Sequence, residues 1–152
     1  MTRTRAGRLR MLAQLAALAE NDARLRLGRA NAELHRREAQ QLQLADYARE
    51  YAERWVQAGR QGIDGHTLGR LAAFRASLDA TLEVQHEAVT QARAGSVQAV
   101  EHWRAARNRQ RAFDELTARA LRGEQSLAER REQQRIDDIG ATGPRNGSPE
   151  QA

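Results

Sequence analysis

The sequence predicts an all-α fold, a long antiparallel two-helix coiled-coil hairpin with an overhanging second helix. Three observations predict it. Apolar residues return at alternating steps of three and four along most of the 152-residue chain. One short stretch rich in turn formers interrupts that pattern. Aromatic residues make up only 4% and the mean hydropathy is -0.80, which leaves little material for a thick core and favours a thin fold.

The first helix is expected over about residues 8–58. No proline occurs there, and Ala, Leu, Arg, Glu and Gln dominate. Leu27, Ala30, Leu34, Arg37, Gln41, Leu44, Ala48, Tyr51 and Trp55 keep heptad spacing. Upstream, Leu9, Leu12, Ala16, Ala19 and Ala23 are the expected continuation. Several of these seam positions are small or polar, so each contributes little apolar area. The opening residues mimic a secretory leader, with Arg3, Arg5, Arg8 and Arg10 before a short apolar run. Gln14 breaks that run and the helical spacing continues past Glu20, so the reading here is a helix and not a removable peptide.

The bend is expected at 59–65, where Gly59, Gly62 and Gly65 cluster and Asp64 is placed to cap the next helix through its side-chain oxygen. The second helix is expected over about residues 66–138. Its seam is Leu82, Gln85, Val89, Ala92, Ser96, Ala99, Trp103, Ala106, Gln110, Phe113, Thr117 and Ala120, without a slip. Phe74, Leu78 and Leu82 are spaced by four and four, a stutter that loosens the supercoil near the bend. The hairpin domain is therefore 1–138, and residues 139–152, rich in Gly and Pro without periodicity, are expected to be a disordered tail.

Neither helix forms a stable core alone, so the two must run antiparallel and bury their stripes on each other. Reflection about 61–63 sets Tyr51 near Phe74, Tyr47 near Leu78 and Leu12 near Phe113. It also brings Gly28 close to Gly95, which marks either close approach or bending of the helices, or a tolerated loss of propensity. At about 1.5 Å per residue the helices measure about 75 Å and about 105 Å, so the second extends past the first.

The chemistry excluded is broad. All 25 basic residues are Arg and none is Lys, which removes Schiff-base lysines and the phosphate-loop lysine. The lack of Cys removes thiolate nucleophiles and thiolate metal sites, and it is compatible with a reducing compartment. His35, His66, His86 and His102 show no metal-ligand spacing. The glycines at the bend join two helices and precede no Lys-Ser or Lys-Thr, so neither nucleotide fingerprint applies. No catalytic residue, metal, cofactor or small-molecule substrate is assigned, and the chain is read as a non-enzyme.

Two surface features stand out. Leu44, Tyr47 and Tyr51 on one helix and Phe74 and Leu78 on the other gather beside the bend, as a docking patch or as a core layer. At the other end Arg3, Arg5, Arg8 and Arg10 are expected alongside Arg104, Arg107, Arg109 and Arg111, with Arg119 and Arg122 beyond. A basic tip can enter an acidic pore, lie along nucleic acid or simply be solvated. The lack of interleaved aromatics and of any reader motif argues against nucleic acid.

Tyr47-x-x-x-Tyr51, the Gly62-Ile63 bend, Leu71 with Phe74 and Leu78, Gln85, Trp103-x-x-x-Arg107, Glu132-Gln133 and Asp137-Asp138 follow one another in a specific order and spacing. By these elements residues 8–138 resemble the FliJ family of the bacterial flagellar type III export apparatus. The resemblance implies a cytoplasmic coiled-coil stalk, peripherally associated with the inner membrane at the flagellar base and touching the membrane only indirectly. The stalk inserts into the flagellar export ATPase hexamer, binds the cytoplasmic part of the export gate protein FlhA and recycles flagellar export chaperones. By that resemblance the gate-binding patch is Gln40, Leu44, Tyr47, Tyr51, Phe74, Leu78, Thr81 and Gln85, where Thr81 and Gln85 depart from the family's pattern. The ATPase-facing open end is Arg8, Arg10, Leu12, Arg104, Arg107 and Arg111. The equivalent stalk of a virulence type III system, or a basic coiled coil binding nucleic acid, is the alternative.

Overall fold

A computed structural model of the protein describes residues 4–143. They form two helices, α1 (Arg5–Gln61) and α2 (Gly65–Ala141), and no strand. Arg3 and residues 144–152 lie outside the described residues, as does that part of the expected tail. Ile139–Ala141, also assigned to the tail from composition, instead continue α2.

Each helix start has a local cause. The Thr4 hydroxyl accepts from the Gly7 amide at 3.0 Å and the Thr4 carbonyl from the Arg8 amide at 3.0 Å, an N-cap that begins α1 three residues before the expected start. Asp64 does the same for α2. Its carboxylate accepts from the Thr67 amide at 2.7 Å and its carbonyl from the Leu68 amide at 3.0 Å. Between them Gly62 takes φ +88°, the left-handed conformation that ends a helix at little cost only for glycine. The connection is thus three residues, 62–64.

The chain divides into two compact units. One comprises Ala19–Arg107, and the other comprises residues up to Leu18 together with those from Asn108 on. In the first unit the helices pack antiparallel. The Tyr51 and Phe74 rings lie 4.6 Å apart, tilted by 49°, as reflection about the bend requires. Farther along, the Ser96 hydroxyl donates to the Asn31 side-chain oxygen at 2.6 Å, Gln41 Nε2 meets His86 Nδ1 at 3.3 Å, and Arg93 pairs with Glu38 at 3.6 Å. Every expected seam residue from Leu27 to Trp55 and from Leu82 to Ala106 is half-buried or buried. A Cβ added at Gly28 or at Gly95 meets nothing within 4 Å, so these glycines mark no close approach of the two backbones.

In the second unit the Ala6 amide donates to Glu124 Oε1 at 3.4 Å. Gln110, Phe113, Thr117 and Ala120 face inward as expected, and Ala6, Leu9, Ala13 and Ala16 face them from α1. From Gln125 to Gly143 every residue is exposed, so the overhang of α2 carries no packed face.

The α1 stripe corrects the expectation upstream of Leu27. Leu12 and Ala19 are exposed, whereas Ala13 and Glu20 are buried. Continuing the alternation of three and four backward from Leu27 gives 23, 20, 16, 13, 9 and 6, and that phase is the one used. The expected row chose leucine over alanine at 12/13 and alanine over glutamate at 19/20, following hydrophobicity where helix geometry decides. Leu12 therefore does not oppose Phe113 in the core.

Candidate docking surfaces

The residues beside the bend fall into two groups. Tyr47 and Phe74 are 49% and 42% exposed. Tyr51 and Leu44 are half-buried, and Tyr51 shares a shallow groove of about 350 Å³ with Thr67, Arg70, Leu71 and Phe74. Leu78 is 8% exposed. It stands in the middle of the α2 stripe, where the i, i+4, i+7 alternation points it at α1, so it is a core residue and offers no face to a partner. The cluster beside the bend thus combines two exposed aromatic rings, Tyr47 and Phe74, with a buried Leu78.

At the lower edge, Thr81 is exposed and its hydroxyl donates to the Ser77 carbonyl at 2.9 Å. Gln40 and Gln85 are half-buried, and Gln85 Oε1 is buried without a hydrogen-bond partner. An unpaired buried carbonyl oxygen costs free energy that an apolar residue would not. The seam at Gln41 and Gln85 is therefore weaker than the aromatic layer next to the bend.

The arginine-rich segment is split between the two units. Arg104 and Arg107 belong to one, and Arg8, Arg10, Leu12 and Arg111 to the other. All six are exposed. Arg107 stacks over the Trp103 ring at 5.2 Å, and Arg109 over Phe113 at 5.8 Å. These i, i+4 cation–π contacts hold the two guanidinium groups along the helix surface.

Sequence reasoning missed Glu20, which is 5% exposed inside the seam. Arg24 donates to both of its carboxylate oxygens, at 2.7 and 2.9 Å, and the Trp103 indole Nε1 donates to Oε1 at 3.0 Å. The Arg24 and Trp103 bonds hold its pKa below the ordinary carboxylate value, against the opposing effect of burial. The signal that finds it is the heptad phase extended backward from Leu27.

Among the described residues no group of three or more His, Asp or Glu is placed to hold a metal ion, and no helix is long and apolar enough to cross a membrane. Over residues 5–147 the chain matches the family described as Flagellar FliJ protein. Comparison with curated proteins and with solved structures gave no match.

Proposed function

We propose, since the chain belongs to the FliJ family of flagellar proteins, that it works as the coiled-coil stalk and adaptor of the flagellar type III export apparatus. In this reading it binds and stimulates the export ATPase ring, contacts the cytoplasmic part of the FlhA gate and recycles export chaperones. It acts in the cytoplasm, at the inner face of the flagellar base. The observation that carries the reading is the family match along nearly the whole hairpin. The surfaces support it. Two exposed aromatic rings beside the bend suit burial in a partner, each contributing about 1.5–3 kcal/mol. Exposed arginines in each unit, Arg104 and Arg107 in one and Arg8, Arg10 and Arg111 in the other, suit an acidic lining.

The gate contact falls on Tyr47, Phe74 and the accessible edges of Gln40, Leu44, Tyr51, Thr81 and Gln85, with Leu78 supporting them from below. Arg8, Arg10, Leu12, Arg104, Arg107 and Arg111 are assigned to the ATPase.

The deciding experiment measures ATP hydrolysis by the purified flagellar export ATPase with and without the chain, beside direct binding on the same preparation. Stimulation with stoichiometric binding is expected. Binding and stimulation both absent would sink the assignment and point to a virulence-type ATPase or to nucleic acid. For the gate, Tyr47→Ala with Phe74→Ala should abolish binding while far-UV circular dichroism stays nearly unchanged. Loss of helicity would return both rings to the core.

A further inference from the structure

Glu20 is the only buried charged residue among the described ones, and its two partners differ in what they can report. Arg24 lies one turn along the same helix, so it neutralises the carboxylate wherever α2 sits. The Trp103 indole N–H comes from α2 and reaches Glu20 Oε1 at 3.0 Å. It stands opposite Glu20 in one register of the hairpin only. A buried ion pair is seldom a net source of stability compared with apolar residues of the same volume, and the best-attested use of a polar residue on a coiled-coil seam is to select one register.

Register needs selecting in this unit. The bend carries Gly59, Gly62 and Gly65 at intervals of three, and the turn uses the left-handed conformation at Gly62, φ +88°. Each of the other two glycines can adopt that conformation at little cost, so the turn can form about one helical turn earlier or later, and a shift of that size slips the seam by one heptad. The seam itself discriminates weakly, because Ala30, Gln41, Ala48, Gln85, Ala92 and Ser96 repeat small and polar side chains at heptad spacing. A slip one way sets Trp103 against Leu27, and a slip the other way sets Ser96 against Glu20. In either case the indole N–H loses its carboxylate.

We propose that Glu20 and Trp103 form a register-determining pair, which rejects the heptad-slipped hairpins that the glycine-spaced bend and the repetitive seam otherwise permit. Its role is positional: it aligns the two faces of the hairpin, and with them the Tyr51–Phe74 layer.

The full chain lacks Cys, so paired cysteines read the register directly. Gln41→Cys with His86→Cys reports the observed pairing, since those side chains meet at 3.3 Å. Gln41→Cys with Asp79→Cys, and with Arg93→Cys, report slips of one heptad in either direction. Oxidation at low protein concentration, with intramolecular disulfides counted on a non-reducing gel, is expected to give the Gln41–His86 product alone. Adding Trp103→Phe, which keeps the ring and removes the N–H, should raise the ratio of slipped to native product roughly tenfold or more. That result decides: a rise supports the pair, and a ratio unchanged within about twofold overturns it. Glu20→Leu supplies a second reading. Slipped products with no fall in melting temperature are expected, and native product alone overturns the proposal.

Discussion

Gly62 and Gly59 lie three residues apart and call for opposite responses to the same substitution. Gly62 holds φ +88°, so Gly62→Ala forces a side chain into the left-handed region and should cost about 1–2 kcal/mol. Gly59 is helical with open space around its Cβ position. Gly59→Ala should therefore stabilise by about 0.5–1 kcal/mol through helix propensity. Urea denaturation of the two variants checks both signs at once, and equal shifts would refute the assignment of the turn to Gly62. At Glu20 the test is pH. Its carboxyl is held below the ordinary value of 4.5, first by the Arg24 bonds and then by Trp103, with Arg24 on its own helix and Trp103 and Arg107 facing it from α2. A depressed pKa means stability that is fully present above the ordinary carboxylate range and lost as pH falls through the lower, folded value. Glu33, held by Arg37 and Arg36, and Asp64, held by Thr67, act in the same direction. Melting temperature should be level from neutrality to about pH 4.5 and then fall on further acidification, and Glu20→Gln should flatten that fall. An identical acid limb in the variant would show that Glu20 carries no linked stability.

At the scale of the helix, what was legible in the sequence was period and what was not was phase wherever the stripe runs through alanine. The α2 seam from Leu82 to Ala120 was readable because it contains Val89, Trp103 and Phe113 at fixed intervals, and so was the α1 seam from Leu27 to Trp55. Near the start of α1, neighbouring columns compete. The expected choice took Leu12 and Ala19, and the other takes Ala13 and Glu20, with Ala16 common to both. Hydrophobicity favours the first, but only the second continues the stripe that reaches Leu27, and packing of the whole helix outweighs the local preference. The same logic divides the aromatic cluster beside the bend. Tyr47 and Leu78 share the aromatic cluster in sequence, yet only the position of each relative to the seam decides which is accessible, and single-helix spacing does not contain the partner helix. The energetics should follow burial. Leu78→Ala is expected to cost about 2–4 kcal/mol because it opens a cavity at a buried seam position, while Leu12→Ala, at a site 43% exposed, should cost less than about 1 kcal/mol. Chemical denaturation of the pair tests this, and the reverse order would restore Leu12 to the core.

For the molecule as a whole, the net charge of +5 and the pairing of acids with arginines one turn away along exposed faces, as at Arg36–Glu33, Arg49–Asp46 and Arg119–Glu115, describe a solvated surface rather than a uniform basic field. Binding through the aromatic residues and binding through the arginines therefore differ in what opposes them. Burial of Tyr47 and Phe74 is driven by apolar area, which salt in the physiological range scarcely alters. Arg104, Arg107 and Arg111, spaced by three and four on α2, would each displace a counterion from an acidic partner. Three such contacts on duplex DNA imply that the logarithm of affinity falls with the logarithm of salt with a slope of about -2.7. Gate binding should accordingly change less than about threefold between 50 and 200 mM salt, and any affinity for DNA should drop by more than tenfold over the same range. Titration of both partners at the two salt concentrations separates the surfaces without a mutation. A gate interaction as steep as the DNA one would move the contact from the aromatic rim to the arginines, and salt-resistant DNA binding would argue for a base-reading surface that neither the sequence nor the hairpin contains.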